Sequence, residues 1–101
     1  MRQLRVYNHG VEAGILHEDD TGVYSFVYRE DYCGAPISLT MPVRSQAYDF
    51  PAFPPFFEGL LPEGFQLESL LRAKKIDADD YMAQLEEVGQ DCVGSVTVLP
   101  L

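Results

Sequence analysis

The side chains that could do chemistry in this sequence are few and far apart. Glu58 and Glu63 flank a proline and could serve as a carboxylate pair in general acid–base catalysis. His9 and His17 could each supply an imidazole to a metal site. Cys33 could act as a nucleophile if a base lay beside it. Each of these chemistries requires further groups that converge in one cleft.

None of these side chains has the partners that its chemistry needs. Two histidines near turns or strand ends are too few for a metal site, and no base lies near Cys33 in the sequence. Cys92 lies in a predicted turn, where we expect it to pack as a small apolar residue. A chain of 101 residues forms one domain, residues 1–101, with a modest core and no room for a deep cleft. The sequence therefore argues against an enzyme, and we expect no catalytic residue, no metal and no cofactor.

Three aspartates, Asp77, Asp79 and Asp80, resemble a cation-binding loop only loosely. They lack the ligand spacing, the central glycine and the closing glutamate of a calcium loop. Helix capping explains them better, because side-chain oxygens and negative charge stabilise a helix N-terminus. We therefore predict Asp77 as the N-cap of a helix that runs to about Val88 and ends at Gly89. We expect three side chains of this helix to be buried: Tyr81, Leu85 and Val88.

The chain is strongly acidic. It holds 16 acidic and 7 basic residues, which gives a formal net charge of −9. A protein that binds nucleic acid needs a basic surface that displaces counterions from phosphates, so we expect no direct contact with DNA or RNA. The charge is compatible with a basic protein partner, although many acidic domains are simply soluble.

Nothing in the sequence resembles a targeting or membrane signal. The first residues enter a strand pattern directly, without an apolar signal region. No apolar run approaches the length that a membrane span needs. The two cysteines form neither a disulfide framework nor a C-x-x-C pair. We therefore expect a cytoplasmic location and no membrane contact.

The first half of the chain has the alternation of β-strands and the second half has helical periodicity. Residues 4–7, 11–17 and 23–28 predict an antiparallel meander, in which Ala13-Gly14 indicates a bulge or close packing. Residues 37–41 predict a fourth strand, and residues 43–53 predict a loop. A last strand over residues 95–99 is expected to return to the early sheet. The predicted fold class is α+β, with a small bent antiparallel sheet of about five strands and two or three helices packed on one side.

The densest apolar stretch, FFEGLLPEGF over residues 56–65, separates the two halves. We predict a helix over residues 54–61 that Pro62 stops, because proline lacks an N–H and restricts the residue before it. Gly64 can adopt the positive φ of a tight turn. A second helix then follows over residues 65–75, with an apolar stripe of Leu67, Leu70 and Leu71.

Five phenylalanines lie close together in this region: Phe50, Phe53, Phe56, Phe57 and Phe65. A small domain cannot easily bury all of them. We assign Phe56, Phe57, Leu60 and Leu61 to the core. Phe65 follows the Pro-Glu-Gly turn and is the best candidate for an exposed aromatic anchor, which is a common arrangement at interaction hot spots.

Four segments resemble the N-terminal subdomain of HipA-type serine/threonine kinases, the toxins of bacterial toxin–antitoxin systems. In chain order they are VEAGIL at 11–16, PISLTMP at 36–42, FFEGLLPEG at 56–64 and GQDCVGSVTVLP at 89–100. They are similar to the family patterns V-G-x-L, P-[IL]-S-L-S-[LM]-P, F-F-x-N-L-L-P-E/D and G-x-D-x-x-G-A-V. Gly59 stands where the family usually has asparagine, so a role of that amide is not carried over.

The resemblance implies a particular biological setting. The chain lacks the kinase body and resembles HipS-type proteins, the separately encoded small subunits of three-gene HipBST systems. It would then be a non-catalytic antitoxin that binds a HipT-like serine/threonine kinase, in a ternary complex with a HipB-like helix-turn-helix protein that contacts the DNA. The alternative is an excised domain of a longer HipA-like kinase, which serves as a scaffold and contacts the HipB-like protein without neutralising by itself.

The turn before Phe65 is the predicted partner-binding site under this resemblance. Phe65 would fill an apolar niche of the kinase, and Glu63 with nearby acids would meet its basic residues. The predicted contact residues are Phe65, Gly64, Glu63, Pro62, Leu61 and Glu58. The alternative is that residues 61–64 form a turn with a purely structural role.

Overall fold

A five-stranded antiparallel sheet and three helices make up the fold of the computed structural model, which describes residues 2–91 and 94–100. The strands are β1 (Arg2–Asn8), β2 (Val11–Glu18), β3 (Tyr24–Tyr28), β4 (Tyr48–Phe50) and β5 (Val96–Pro100). The helices are α1 (Pro55–Glu58), α2 (Gly64–Lys74) and α3 (Tyr81–Val88), and a short 3-10 helix (Gly89–Asp91) follows α3. The predicted α+β fold class is confirmed. The predicted packing of Cys92 lies outside the described residues.

The strands lie in the order β4-β3-β2-β1-β5 across the sheet. The first three strands form the predicted meander. β5 pairs antiparallel with β1, with Leu4 opposite Pro100. The prediction that the last strand returns to the early sheet is therefore confirmed.

One face of the sheet is buried. Leu4, Leu16 and Phe26 lie side by side across β1, β2 and β3, and all three are buried. Val27 points away from this face and is exposed. This alternation follows from strand geometry, because successive side chains of a strand point to opposite sides.

The helices cover this face unequally. The core cluster joins strand residues to Phe57 just after the start of α1, to Leu61, and to Met82 and Leu85 of α3. The Phe57 ring lies 5.8 Å from the Phe26 ring, centroid to centroid. None of the eleven residues of α2, all of which the structure describes, is buried. The core therefore rests on α1 and α3, and α2 lies at its margin.

The predicted irregularity at Ala13-Gly14 is a β-bulge with a close backbone approach. Val6 lies opposite Gly14 and Tyr7 lies opposite Glu12, so Ala13 is the extra residue of β2. A Cβ atom on Gly14 would lie 2.1 Å from the carbonyl oxygen of Val27. Only glycine fits here without a shift of the backbone.

The predicted fourth strand at residues 37–41 is wrong. Ser38 and Met41 instead form an isolated bridge around a tight turn, with Ile37 and Met41 buried and Leu39 fully exposed. A turn that puts both ends into the core produces the same apolar alternation as a strand. The fourth strand is β4, within the segment predicted to be a loop, and it pairs with β3.

The hydroxyl group of Tyr28 holds this turn on the sheet. It donates a hydrogen bond to the carbonyl of Met41 and accepts one from the N–H of Ile37 at 3.1 Å. Burial raises the pKa of Tyr28 above its ordinary value of 10.0.

Tyr28→Phe is expected to lower the free energy of unfolding by about 1–3 kcal/mol at neutral pH, because two buried backbone groups lose their partner. A folded-state pKa above the unfolded one gives stability that is complete below pH 10 and is lost as the pH rises through the raised value. The variant should therefore lose less stability above pH 10. Urea titrations at neutral pH and above pH 10 measure the free energy of unfolding of both proteins.

Tyr48→Phe is the control, since its more exposed hydroxyl also donates to a backbone carbonyl. Equal alkaline losses in wild type and Tyr28→Phe would contradict the assignment.

The end of α1 differs from prediction. α1 ends at Glu58 rather than at Leu61, because Gly59 forms the C-cap and its N–H bonds to the carbonyl of Pro55 at 3.0 Å. The helix thus stops before Pro62 is reached. α2 begins at Gly64, close to the predicted start.

The predicted cap of α3 is also wrong. Asp80, not Asp77, is the N-cap, and its side chain accepts from the N–H of Ala83 at 3.3 Å. Asp80 also pairs with Arg2 at 2.8 Å, which ties the helix to β1. This tertiary ion pair favours Asp80, the last of the three aspartates, as the N-cap. Gly89 ends the helix and Leu85 is buried as predicted, whereas Met82 and Gln84 are buried in place of the half-buried Tyr81 and Val88.

Candidate partner-binding surface

Residues 58–65, from the last residue of α1 to the first turn of α2, are called the presenting turn below. The N–H groups of Leu60 and Leu61 bond to the carbonyls of Phe57 and Glu58, both at 3.1 Å, and continue α1 as turns. Glu63 then has an extended backbone, and Gly64 has a φ of +58°. The predicted positive φ of Gly64 is confirmed, and it redirects the chain into α2.

With this geometry, the side chain of Phe65 is exposed to solvent at the first turn of α2. Its side chain is 83% exposed, in contrast to Phe57 and Phe53, which are 0% and 6% exposed. The exposure predicted for Phe65 is therefore confirmed. Large apolar side chains that stay in water forgo the free energy that burial would provide, so this ring is available for a partner.

The other predicted contact residues divide into two groups. Glu58, Glu63 and Gly64 are exposed, as Phe65 is. Pro62 is half-buried, and Leu61 is buried in the core. The expectation that Leu61 forms part of the core is confirmed, so we assign it to supporting the presenting turn from below rather than to its exposed surface.

The second predicted feature of this region is the apolar stripe of α2. Leu67, Leu70 and Leu71 are each only partly buried. The last turn of α2 carries Arg72 and Lys74, and Lys74 lies 3.7 Å from Glu87 on α3. α2 therefore presents an exposed aromatic ring at one end and cations at the other, with a partly open apolar stripe between them.

The side chains considered for catalysis or metal binding are not brought together. Glu58 and Glu63 are both exposed, His9 is exposed, and His17 lies 3.1 Å from the amide of Gln3. Within residues 2–91 and 94–100, no group of three His, Cys, Asp or Glu side chains is placed to hold a metal ion. In the same described part, no helix is long and apolar enough to cross a membrane.

A further feature is a buried polar side chain at the end of β1. Asn8 is 4% exposed and lines a cavity beside the β1–β2 turn. Residues 8–10 carry a turn signal, and an asparagine in such a signal is ordinarily exposed. Only the tertiary structure shows that its amide is covered.

Comparison with known proteins decides the family. The profile of the HipA N-terminal domain matches residues 4–99. The chain belongs to the HipA N-terminal domain family. In HipA-type kinases this domain is a non-catalytic part of the protein.

Individual relatives agree with this assignment. An uncharacterized protein of Haemophilus influenzae is 31% identical over 97% of this chain and 92% of its own length. The putative kinase Y4mE of Sinorhizobium fredii is also 31% identical, over 99% of this chain but only 25% of its own length. A solved structure described as the N-terminal domain of HipA toxin has a TM-score of 0.78 and 28% identity, and the match covers 100% of this chain and 93% of that one. The HipA N-terminal fold thus occurs both in a small protein and within a much longer one.

Proposed function

We propose that this HipA N-terminal domain is a non-catalytic antitoxin that binds and neutralises a HipT-like serine/threonine kinase in the cytoplasm. The observation that carries the proposal is the exposed Phe65 on the presenting turn. Membership of the HipA N-terminal domain family supports a toxin–antitoxin setting. We infer the antitoxin role from that setting and from the exposed ring.

The presenting turn supplies both an apolar anchor and a rigid support. Complete burial of a phenylalanine side chain contributes about 1.5–3 kcal/mol relative to exposure. Leu61 anchors the middle of the presenting turn in the core, and the α2 helix begins at Gly64. Little conformational entropy is then lost when Phe65 enters a pocket of the kinase.

Acidic side chains around the ring supply electrostatic complementarity. Glu58 and Glu63 are exposed, and the whole chain carries a net charge of −9. Kinase active sites hold nucleotide phosphates with basic groups and metal ions. An acidic presenting turn that docks there would compete for the same basic groups and exclude substrate. A HipB-like helix-turn-helix protein would complete the complex and make the contacts to DNA.

Co-expression with a HipT-like serine/threonine kinase tests the proposal. We expect growth to be restored and the two proteins to purify together as a stable complex. Growth without the small protein, or co-expression with a variant that cannot fold, provides the baseline. A stable complex that leaves the kinase toxic would contradict neutralisation, and the absence of a complex would contradict the proposal as a whole.

A second candidate function has its own support. The match to Y4mE covers a quarter of that putative kinase, so the same fold also occurs as one part of a longer chain. In that setting the domain would be a scaffold that contacts a HipB-like protein and does not neutralise by itself. A complex with the HipB-like protein alone, together with undiminished kinase toxicity, would favour the scaffold.

A further inference from the structure

A cavity of about 450 Å³ lies beside the β1–β2 turn, away from the presenting turn in the sequence. Its lining includes Asn8, Val11, Arg29, Tyr32 and Cys33. Such a volume accommodates a large side chain together with part of a main chain. None of the functions assigned above uses this cavity.

The polar residue at this cavity is Asn8, and half of its amide is unsatisfied. Its Nδ2 donates to the hydroxyl of Tyr32 at 3.2 Å and to the carbonyl of Ala35 at 3.1 Å. Its Oδ1 is buried, and no described residue donates a hydrogen bond to it. A buried acceptor without a donor is costly and rare in folded proteins. Turning the amide over would place its oxygen 3.1 Å from the carbonyl oxygen of Ala35, so the assignment of O and N stands.

A short segment, residues 32–35, covers the Asn8 amide. The Tyr32 hydroxyl donates to the carbonyl of Ala35, and the Tyr32 ring stacks on Tyr28 with centroids 5.7 Å apart. Gly34 allows this arrangement, because a Cβ atom there would lie 2.7 Å from the Tyr32 hydroxyl oxygen. Three hydrogen bonds thus hold the segment against the Asn8 amide.

The rim of the cavity has both apolar and charged groups. Val11 is 59% exposed, although it is a large apolar side chain. Arg29 pairs with Glu12 at 2.8 Å and with Asp31 at 3.1 Å, and the Asp31 side chain remains 73% exposed. The positive charge at the rim is therefore neutralised, whereas Asp31 stays open to solvent and to a basic group.

We propose that this cavity binds a short apolar peptide segment of a partner protein, which donates a main-chain N–H to the Oδ1 of Asn8. An apolar side chain of that segment fills the cavity next to Val11, and a neighbouring basic residue faces Asp31. Residues 32–35 line one side of the cavity, and access of the N–H to the buried Oδ1 requires this segment to shift away from the Asn8 amide. Main-chain N–H groups are the donors that every peptide carries, which makes them a natural complement to this acceptor.

Capped amino acids test the proposal on the whole 101-residue chain. The probe is N-acetyl-leucine methylamide, which has an apolar side chain and two N–H donors. In a titration followed by ¹H–¹⁵N NMR, we expect shifts confined to residues 8–12 and 29–35. The fully N-methylated analogue, which has the same side chain and no N–H, should bind about tenfold more weakly.

Two variants separate the acceptor from the segment that covers it. Asn8→Leu and Tyr32→Phe each remove two of the three hydrogen bonds that hold residues 32–35 against the Asn8 amide, but only Asn8→Leu removes the acceptor. We expect Asn8→Leu to weaken binding about tenfold and Tyr32→Phe to bind the probe at least as well as wild type.

Several results would overturn the proposal. They are the absence of shifts at residues 8–12 and 29–35, shifts that map elsewhere, equal binding of the N-methylated analogue, or equal loss in both variants. If Asn8→Leu fails to fold, the comparison of the two probes on the wild-type chain still decides. Neither probe involves the kinase, so failure here would leave the proposed antitoxin function standing.

Discussion

Phe65→Ala is expected to weaken binding of the kinase by about 2–4 kcal/mol, on the order of 30- to 1000-fold in Kd, without unfolding the domain. Phe65 is 83% exposed, so its removal leaves no cavity in the core. In the complex the same ring would be the buried anchor, and truncation would lose its apolar contacts. Growth rescue and a direct binding measurement with the purified kinase test this, together with an unfolding curve of the free variant.

The matched control for this variant is Leu39→Ala. Leu39 is fully exposed and lies at the tip of a different turn. Its truncation removes a similar apolar area and should change neither folding nor neutralisation. If Phe65→Ala folds normally and neutralises as well as wild type, the presenting turn is not the inhibitory element. If both variants lose binding equally, general surface hydrophobicity rather than a defined anchor is responsible.

Gly14→Ala is expected to lower the free energy of unfolding by about 3 kcal/mol or more, which is a large part of the stability of a small domain. The new Cβ atom would lie 2.1 Å from the Val27 carbonyl oxygen and 2.9 Å from the Phe26 ring. The carbonyl belongs to a strand and cannot move without breaking the β2–β3 ladder. Urea unfolding, or the soluble yield if the variant does not fold, measures the loss.

Gly59→Ala is the control for the glycine substitution. Gly59 has a φ of −65°, and a Cβ atom there would meet its nearest neighbour at 3.4 Å. We expect a change within about 0.5 kcal/mol. A Gly14→Ala variant as stable as Gly59→Ala would show that the sheet absorbs the contact by a small shift, and the proposed role of the bulge would be wrong.

Local patterns were sufficient for the regular parts of the fold. The alternation of β1, β2 and β3 records one buried and one open face, so their side-chain directions follow from sequence alone. Gly89 at the end of α3 and the positive φ of Gly64 follow from backbone chemistry in the same way. These features depend on neighbours in the sequence, which is why they could be predicted.

The predictions were wrong where contacts between residues that are distant in the sequence determine the local structure. Residues 37–41 alternate because Tyr28 holds a turn against the core. Asp80 caps α3 in place of Asp77 because Arg2, far away in the sequence, pairs with it. β4 has only three residues and exists through its pairing with β3. None of these contacts leaves a local pattern.

The candidate surfaces show the same division. The exposure of Phe65 could be predicted from its place after a Pro-Glu-Gly turn, although its role in binding stays a prediction. The buried amide of Asn8 could not be predicted, because it depends on residues 32–35 folding over β1. A buried acceptor without a donor can be recognised only when the positions of all neighbouring residues are known.

The pairing of β1 with β5 also governs how this domain is made on the ribosome. β1, β2 and β3 emerge in the order in which they pair, whereas the second neighbour of β1 is synthesised last. Until residues 96–100 are available, one side of β1 is an open strand edge that can pair with other nascent chains. We expect truncations before these residues to yield aggregates, because β1 then keeps its open edge.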